Sequence, residues 1–172
     1  MLKAAGAILV IFACTALGYA QSMTFQKRLG CLEEIRKMTV LLLGEITYRK
    51  EALPQAMERV SGKVAAPLSE FLKEVSREAG NCQGVRFSQI FAGRAQTFFK
   101  DSGMTRQDTE SFAQLGEYLG YMDVIMQQNT IQLYLKELEL QIQQAQKEEP
   151  VKTKLYRSMG AMGGIFLAVM LL

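Results

Sequence analysis

The first fifty residues carry two kinds of apolar pattern. From Ala4 to Ala20 the chain runs for seventeen residues without a charge, "AAGAILVIFACTALGYA", close to the length of about 20 that a membrane-spanning helix needs. From Leu29 onward the pattern changes. Leu29, Leu32, Ile35, Met38, Leu42, Leu43 and Ile46 recur at three- and four-residue steps, which predicts an amphipathic helix continuing directly from the apolar segment to about Arg49. Pro54 suits the first turn of a short second helix and Pro67 that of a third, because proline there gives up no needed hydrogen bond. Leu68, Phe71, Leu72 and Val75 share one face of that third helix. It ends near Gly80, where "GNCQG" supplies turn chemistry and places Cys82 in an exposed turn. Phe87, Ile90, Phe91, Ala95 and Phe98 follow at helical spacing and predict an aromatic core. Thr105 and Asp108 both suit the N-cap of "TESFAQLGEYLG". A last helix runs from about Tyr121 through "IQLYLKELELQIQQAQK", with Pro150 as a natural break or a kink.

The other end repeats the first motif. "MGAMGGIFLAVMLL", residues 159–172, is uncharged and lies behind Lys152, Lys154 and Arg157, just as Lys27 and Arg28 follow the N-terminal run. Both apolar ends thus carry their heavier basic flank on the central side, which by the positive-inside tendency places residues 21–157 in the cytoplasm. Fourteen residues are short for a span, so the C-terminal segment either extends back through Tyr156 or dips in from one side. No strand alternation interrupts the helical pattern. The expected architecture is all-α, a compact bundle of about six helices between two membrane segments. Its parts are an N-terminal transmembrane anchor (1–21), a cytoplasmic helical-bundle domain (22–150) and a C-terminal basic flank with a hydrophobic membrane segment (151–172). Two other readings of the N-terminus stay open. "GYA" before Gln21 resembles a signal-peptidase site, which would release an extracytoplasmic protein after Ala20, and "IFAC" loosely resembles a lipoprotein motif. Phe12 and a positive region of one lysine argue against both.

Composition narrows the chemistry. Among 172 residues there are three prolines and no tryptophan or histidine, so the commonest general base and metal ligand is missing. Residues 21–148 hold 16 basic and 16 acidic side chains, leaving no basic field to attract nucleic acid. Cys14, Cys31 and Cys82 are odd in number and widely spaced, which fits reduced, structural thiols rather than a disulfide framework or zinc site. Phosphate-binding loops, Cys-x-x-Cys pairs and nucleophile elbows do not occur. The pattern points to a protein without catalysis, cofactor, metal or small-molecule substrate. Two acids in apolar surroundings, Glu45 and Asp123, are expected either to pair with a nearby Arg or Lys or to cap a helix. Gly116 and Gly120 lie one turn apart beside Leu115 and Leu119. There they would let a neighbouring helix approach closely, within the bundle or on a partner.

Two blocks carry a family resemblance. "EITYRKEALPQAM", with Glu45, Ile46, Tyr48, Leu53, Pro54 and Ala56, is followed some sixty residues later by "FAQLGEYLGYMDVIMQQNTIQLYLKELE", with Leu115, Gly116, Leu119, Gly120, Asp123 and Gln127. In order and spacing they resemble the stage III sporulation protein AB family of endospore-forming bacteria. The resemblance implies a helical domain similar to the type II secretion F platform domain. It also implies a place in a mother-cell membrane complex that forms a secretion-like channel to the forespore. The implied partners are a cytoplasmic secretion-type ATPase, stage III sporulation protein AA, other membrane components of the complex, and membrane lipid. Glu45, Tyr48, Leu53, Pro54, Leu115, Gly116, Leu119, Gly120 and Asp123 become the candidate packing or partner-binding residues. A membrane-bound regulatory adaptor unrelated to secretion would share the same topology.

Overall fold

The computed structural model describes residues 2–81, 84–100, 102–120 and 123–171; Cys82 lies outside them. The described residues form six α-helices and one π-helical turn, without strands. Helix α1 (Leu2–Gly44) passes into the π turn Glu45–Arg49, followed by α2 (Leu53–Ser61), α3 (Leu68–Asn81), α4 (Phe87–Phe98), α5 (Arg106–Leu119) and α6 (Val124–Leu171). The chain divides into two compact units. One comprises α1 up to Leu29 with α6 from Gln144, and the other comprises Gly30–Gln143.

In the 30–143 unit the predicted stripe is the core face of α1: Leu32, Ile35, Met38 and Leu42 are all 0–1% exposed. Their spacing of three and four residues puts them on one side of the helix, and burying each stabilises by about 1.5–3 kcal/mol. Pro54 stands in the first turn of α2. Ser76 on α3 ties that turn down by donating to the Pro54 carbonyl at 2.7 Å. The phenylalanines of α3, α4 and α5 meet as a cluster, with Phe71, Phe91 and Phe112 mutually 5.0–5.3 Å apart between ring centroids, the separation at which aromatic rings attract beyond their buried area. Helix α5 starts on a complete capping box: Thr105 Oγ1 accepts from the Asp108 amide at 3.1 Å, and Asp108 accepts from the Thr105 amide at 2.9 Å. Burial pushes the Cys31 thiol up to about 11, so it remains protonated beside Met104 Sδ at 3.3 Å. Cys14 and Cys31 are both free.

The other unit is an antiparallel helical pair whose packing is inverted in polarity. Small residues line the seam. A Cβ on Gly18 would lie 2.6 Å from the Tyr156 carbonyl oxygen, one on Gly160 would lie 2.8 Å from the Cys14 oxygen, and one on Gly164 would lie 3.1 Å from the Ile11 Cα. Large apolar side chains point outward instead: Leu9, Phe12 and Leu17 on α1 and Met162, Phe166 and Met170 on α6 are each at least 70% exposed. Glycines allow the backbones to meet, the arrangement by which helices associate where water supplies no driving force.

Of the two forms left open for Pro150 the break does not occur: α6 continues through it to Leu171, with the loss of one backbone donor that proline imposes. One expectation changes. Among the described residues no helix is long and apolar enough to cross a membrane. Of the segments expected to span, residues 2–21 and 151–171 enter the structure as the paired arms of α1 and α6.

Candidate functional site

The site is best built from the end of α1. There the helix widens into a π turn, and Lys50 adopts a left-handed conformation (φ 53°) that stops it. A lysine in that region is uncommon and marks a sharp change of direction. The turn carries Glu45 inward, leaving it 8% exposed. Its carboxylate accepts from Lys63 Nζ at 3.1 Å and sits 3.3 Å from Arg49 Nε and 3.8 Å from Arg59 Nε. The Lys63 hydrogen bond, with the charges of Lys63, Arg49 and Arg59, holds the Glu45 carboxyl below its usual range. Arg59 also binds Glu51 at 2.8 Å, so two acids and three bases lock the π turn onto α2. One oxygen of Glu51, Oε2, is buried without a hydrogen-bond partner among the described residues.

Next to this network lies an open groove of about 620 Å³. It is lined by Ile46, Leu53 and Pro54 from the π turn and α2, by Val85, Phe87 and Ile90 from the start of α4 and the residues before it, and by Leu119, Gly120, Val124 and Gln127 from the junction of α5 and α6, with Lys50 and Glu51 as its charged members. Residues from the two blocks, sixty or more positions apart in sequence, thus line one concavity. Gln127 fixes their junction: its side-chain amide donates to the Leu119 carbonyl, which α5 leaves without an intrahelical partner at its end.

The predicted residues fall into distinct places. Leu53, Pro54, Leu119 and Gly120 line the groove. Glu45 is the hub of the ionic network, so of its two expected roles it takes the pairing one. Asp123 takes the other, capping α6 by accepting from the Ile125 and Met126 amides at 3.4 and 3.1 Å. Tyr48 is 86% exposed on the π turn. Leu115 and Gly116 are buried in the core. The neighbour at Gly116 is a side chain rather than a backbone: a Cβ there would stand 2.7 Å from Phe91 Cβ. Gly120 lies where α5 stops, its φ of −79° open to any residue, so the two glycines do not form one close-contact ridge.

Sequence reasoning anticipated that Glu45 would pair with an Arg or Lys but not that Val85, Phe87 and Ile90 join the lining of the groove. Those three residues share a concavity with Leu53 only through the folding back of α3 and α4, which no local spacing encodes. The lysine and arginines around Glu45 did carry a signal. Arg49 and Glu45 are i,i+4 neighbours, the spacing at which opposite charges meet on a helix. Among the described residues no group of three or more His, Cys, Asp or Glu side chains is placed to hold a metal ion.

Comparison with known proteins places this architecture. The family model for stage III sporulation protein AB matches residues 3–172. The stage III sporulation protein AB of Bacillus subtilis (strain 168) is 25% identical over 172 residues, covering all of both chains. A solved structure of a stage III sporulation protein AB superposes with a TM-score of 0.64 at 23% identity, covering 73% of this chain and 98% of that one, which shows a shared fold.

Proposed function

Because the chain belongs to the stage III sporulation protein AB family, and so has a role in sporulation, we propose that it is a membrane-anchored scaffold of a secretion-like complex between mother cell and forespore. Its 30–143 unit faces the mother-cell cytoplasm and couples the ATPase stage III sporulation protein AA to membrane components of the complex. The α1 and α6 arms hold it in the membrane. Support for the anchor comes from polarity: the arms bury glycines and expose Leu9, Phe12, Met162 and Phe166, a surface that water disfavours and lipid accepts. Helix α1 is continuous through Ala20 and Gln21, which supports retention of the arm over release after Ala20. Seventeen uncharged residues rise about 26 Å in a helix, somewhat short of the roughly 30 Å hydrocarbon layer.

The observation that carries the scaffold reading is the assembly of both family-like blocks around one groove with an apolar lining and a charged rim. Such a concavity suits a protein side chain or helix end. Val85 and Val124 are 49% and 47% exposed on the groove, so Val85→Glu and Val124→Glu change its chemistry without opening the core. Co-purification of the ATPase and spore yield are expected to fall in the double variant while its cellular level stays normal. If both remain at the parental value, the groove is not the coupling surface.

A further inference from the structure

The α1–α6 pair changes chemistry in steps along its length. At one end Gly164 meets Ile11 and Cys14, and Gly160 meets Gly18. The next turns are aromatic and cationic. Arg157 lays its guanidinium over the Tyr19 ring at 4.9 Å and donates from Nε to Ser22 Oγ at 3.1 Å, Phe25 and Tyr156 stack at 5.6 Å, and Lys152 sits over Phe25 at 5.4 Å. Beyond them comes carboxylate pairing, where Glu148 binds Lys152 at 2.6 Å and Arg28 at 3.7 Å. Small apolar seam, aromatic belt and ion pairs follow the order of hydrocarbon, interface and water.

Charge within the belt does not balance. Residues 21–29 and 144–157 hold six basic side chains, Lys27, Arg28, Lys147, Lys152, Lys154 and Arg157, against two acidic ones, Glu148 and Glu149. Among the described residues Lys27, Lys154 and Arg157 have no carboxylate partner. The guanidinium of Arg157 is already oriented, since Tyr19 lies against its face and buried Ser22 holds its Nε, which leaves the two outer nitrogens for an anion. Beside it Pro150, Val151 and Leu155 form a shallow apolar patch of about 530 Å³ with Lys154 at the edge.

We propose that this collar binds the headgroup of an anionic phospholipid. The phosphate docks on Arg157 and Lys154, Lys27 adds a further positive charge to the collar, and an acyl chain lies along Leu155 and Val151. A planar guanidinium matches a phosphodiester through two parallel N–H donors, and an ammonium adds a point charge. The inference rests on the arms being in the membrane, and its test separates the two ideas.

Full-length protein is reconstituted into phosphatidylcholine vesicles with or without phosphatidylglycerol. Vesicle flotation measures insertion, and spin-labelled lipids of each headgroup measure association with the protein surface. Co-flotation with both vesicle types is expected, together with a preference of about 5-fold or more for spin-labelled phosphatidylglycerol, the factor one basic side chain contributes near an anionic surface. The preference should shrink toward unity in Lys27→Gln/Lys154→Gln/Arg157→Gln, which should still float and keep its helix content. Excess inorganic phosphate should not abolish it, because a free anion lacks the acyl contact. Flotation without headgroup preference overturns the collar and leaves the anchor standing. A preference that survives in the triple variant overturns the assignment to these residues, and one that inorganic phosphate removes shows a plain anion site. Protein that floats with neither vesicle overturns both ideas.

Discussion

Gly116 and Gly120 look equivalent in sequence, yet the structure predicts opposite responses to the same substitution. In Gly116→Ala the new Cβ would stand 2.7–2.8 Å from Cβ, Cγ and Cδ1 of Phe91, about 1 Å inside the usual carbon–carbon separation. Phe91 cannot retreat easily. It is 0% exposed and has Phe71 and Phe112 rings at 5.0 Å. Overpacking of this kind costs about 1–3 kcal/mol, against roughly 1 kcal/mol gained from helix propensity, so the net effect is a loss of up to about 2 kcal/mol. At Gly120 the Cβ finds ordinary contacts of 3.4, 3.5 and 3.9 Å, and φ is −79°. Alanine there is expected to stabilise by about 0.4–1 kcal/mol through a less disordered unfolded chain. Thermal unfolding of the full chain in one detergent, followed by far-UV circular dichroism, reads both. At about 4 °C per kcal/mol for a unit of this size, Gly116→Ala should melt up to roughly 8 °C lower and Gly120→Ala at or slightly above the parent. A Gly116→Ala protein more stable than the parent, as the propensity gain alone would make it, would refute the packing argument.

Three further outcomes follow from other parts of the molecule. The Glu45 carboxyl is held below its ordinary 4.5, chiefly by the Lys63 hydrogen bond. Its contribution is therefore complete above about pH 4.5 and is lost as pH falls through the lower folded value. Glu45→Gln should melt lower than the parent at pH 7, with the gap closing under acid, and a gap independent of pH would remove the network from the account. Gly164→Cys, in a Cys31→Ser/Cys82→Ser background, places a Cβ 3.2 Å from Cys14 Cβ, a few tenths below the disulfide range of about 3.5–4.5 Å. Mild oxidation should cross-link the two arms within one chain, as a gel shift after proteolysis between them would show; no cross-link would mean the arms do not pair in this register. Gln127→Ala leaves the Leu119 carbonyl without its side-chain donor, a loss of about 1–3 kcal/mol that denaturant titration can measure.

The legible features were those that a single helix encodes locally. The stripe from Leu32 to Leu42, proline in the first turn of α2 and the N-cap Thr105 each depend on residues within a turn or two and take their expected form, whereas Asp108, the other N-cap candidate, stands at the third helical position and completes the box. Pro150 was ambiguous for the same reason: its ring and missing donor argue for a break, but whether a helix survives depends on the neighbouring turns. What spacing cannot encode is which faces meet. The groove needs Leu53 and Phe87 at one concavity, and the arm seam needs Gly18 opposite Gly160. Only the fold supplies those pairs.

This distinction also sorts the residues that carry the family likeness. Leu115, Gly116 and Leu119 are at most 2% exposed or pressed against Phe91, so substitutions there act on stability first, and any loss of sporulation they cause says little about contacts with another protein. Asp123 caps α6 and Glu45 anchors the π turn; both shape the site through the backbone rather than by touching a partner. Tyr48 is different. Its ring is 86% exposed on a turn that five charged groups hold rigid, and an aromatic side chain presented on a rigid support loses little entropy when it is covered. Tyr48→Ala should therefore leave the melting temperature within about 2 °C of the parent, as exposed substitutions commonly do, while lowering ATPase co-purification. A variant that melts early would place Tyr48 among the structural residues instead, and one that keeps both properties would leave the groove alone as the candidate contact.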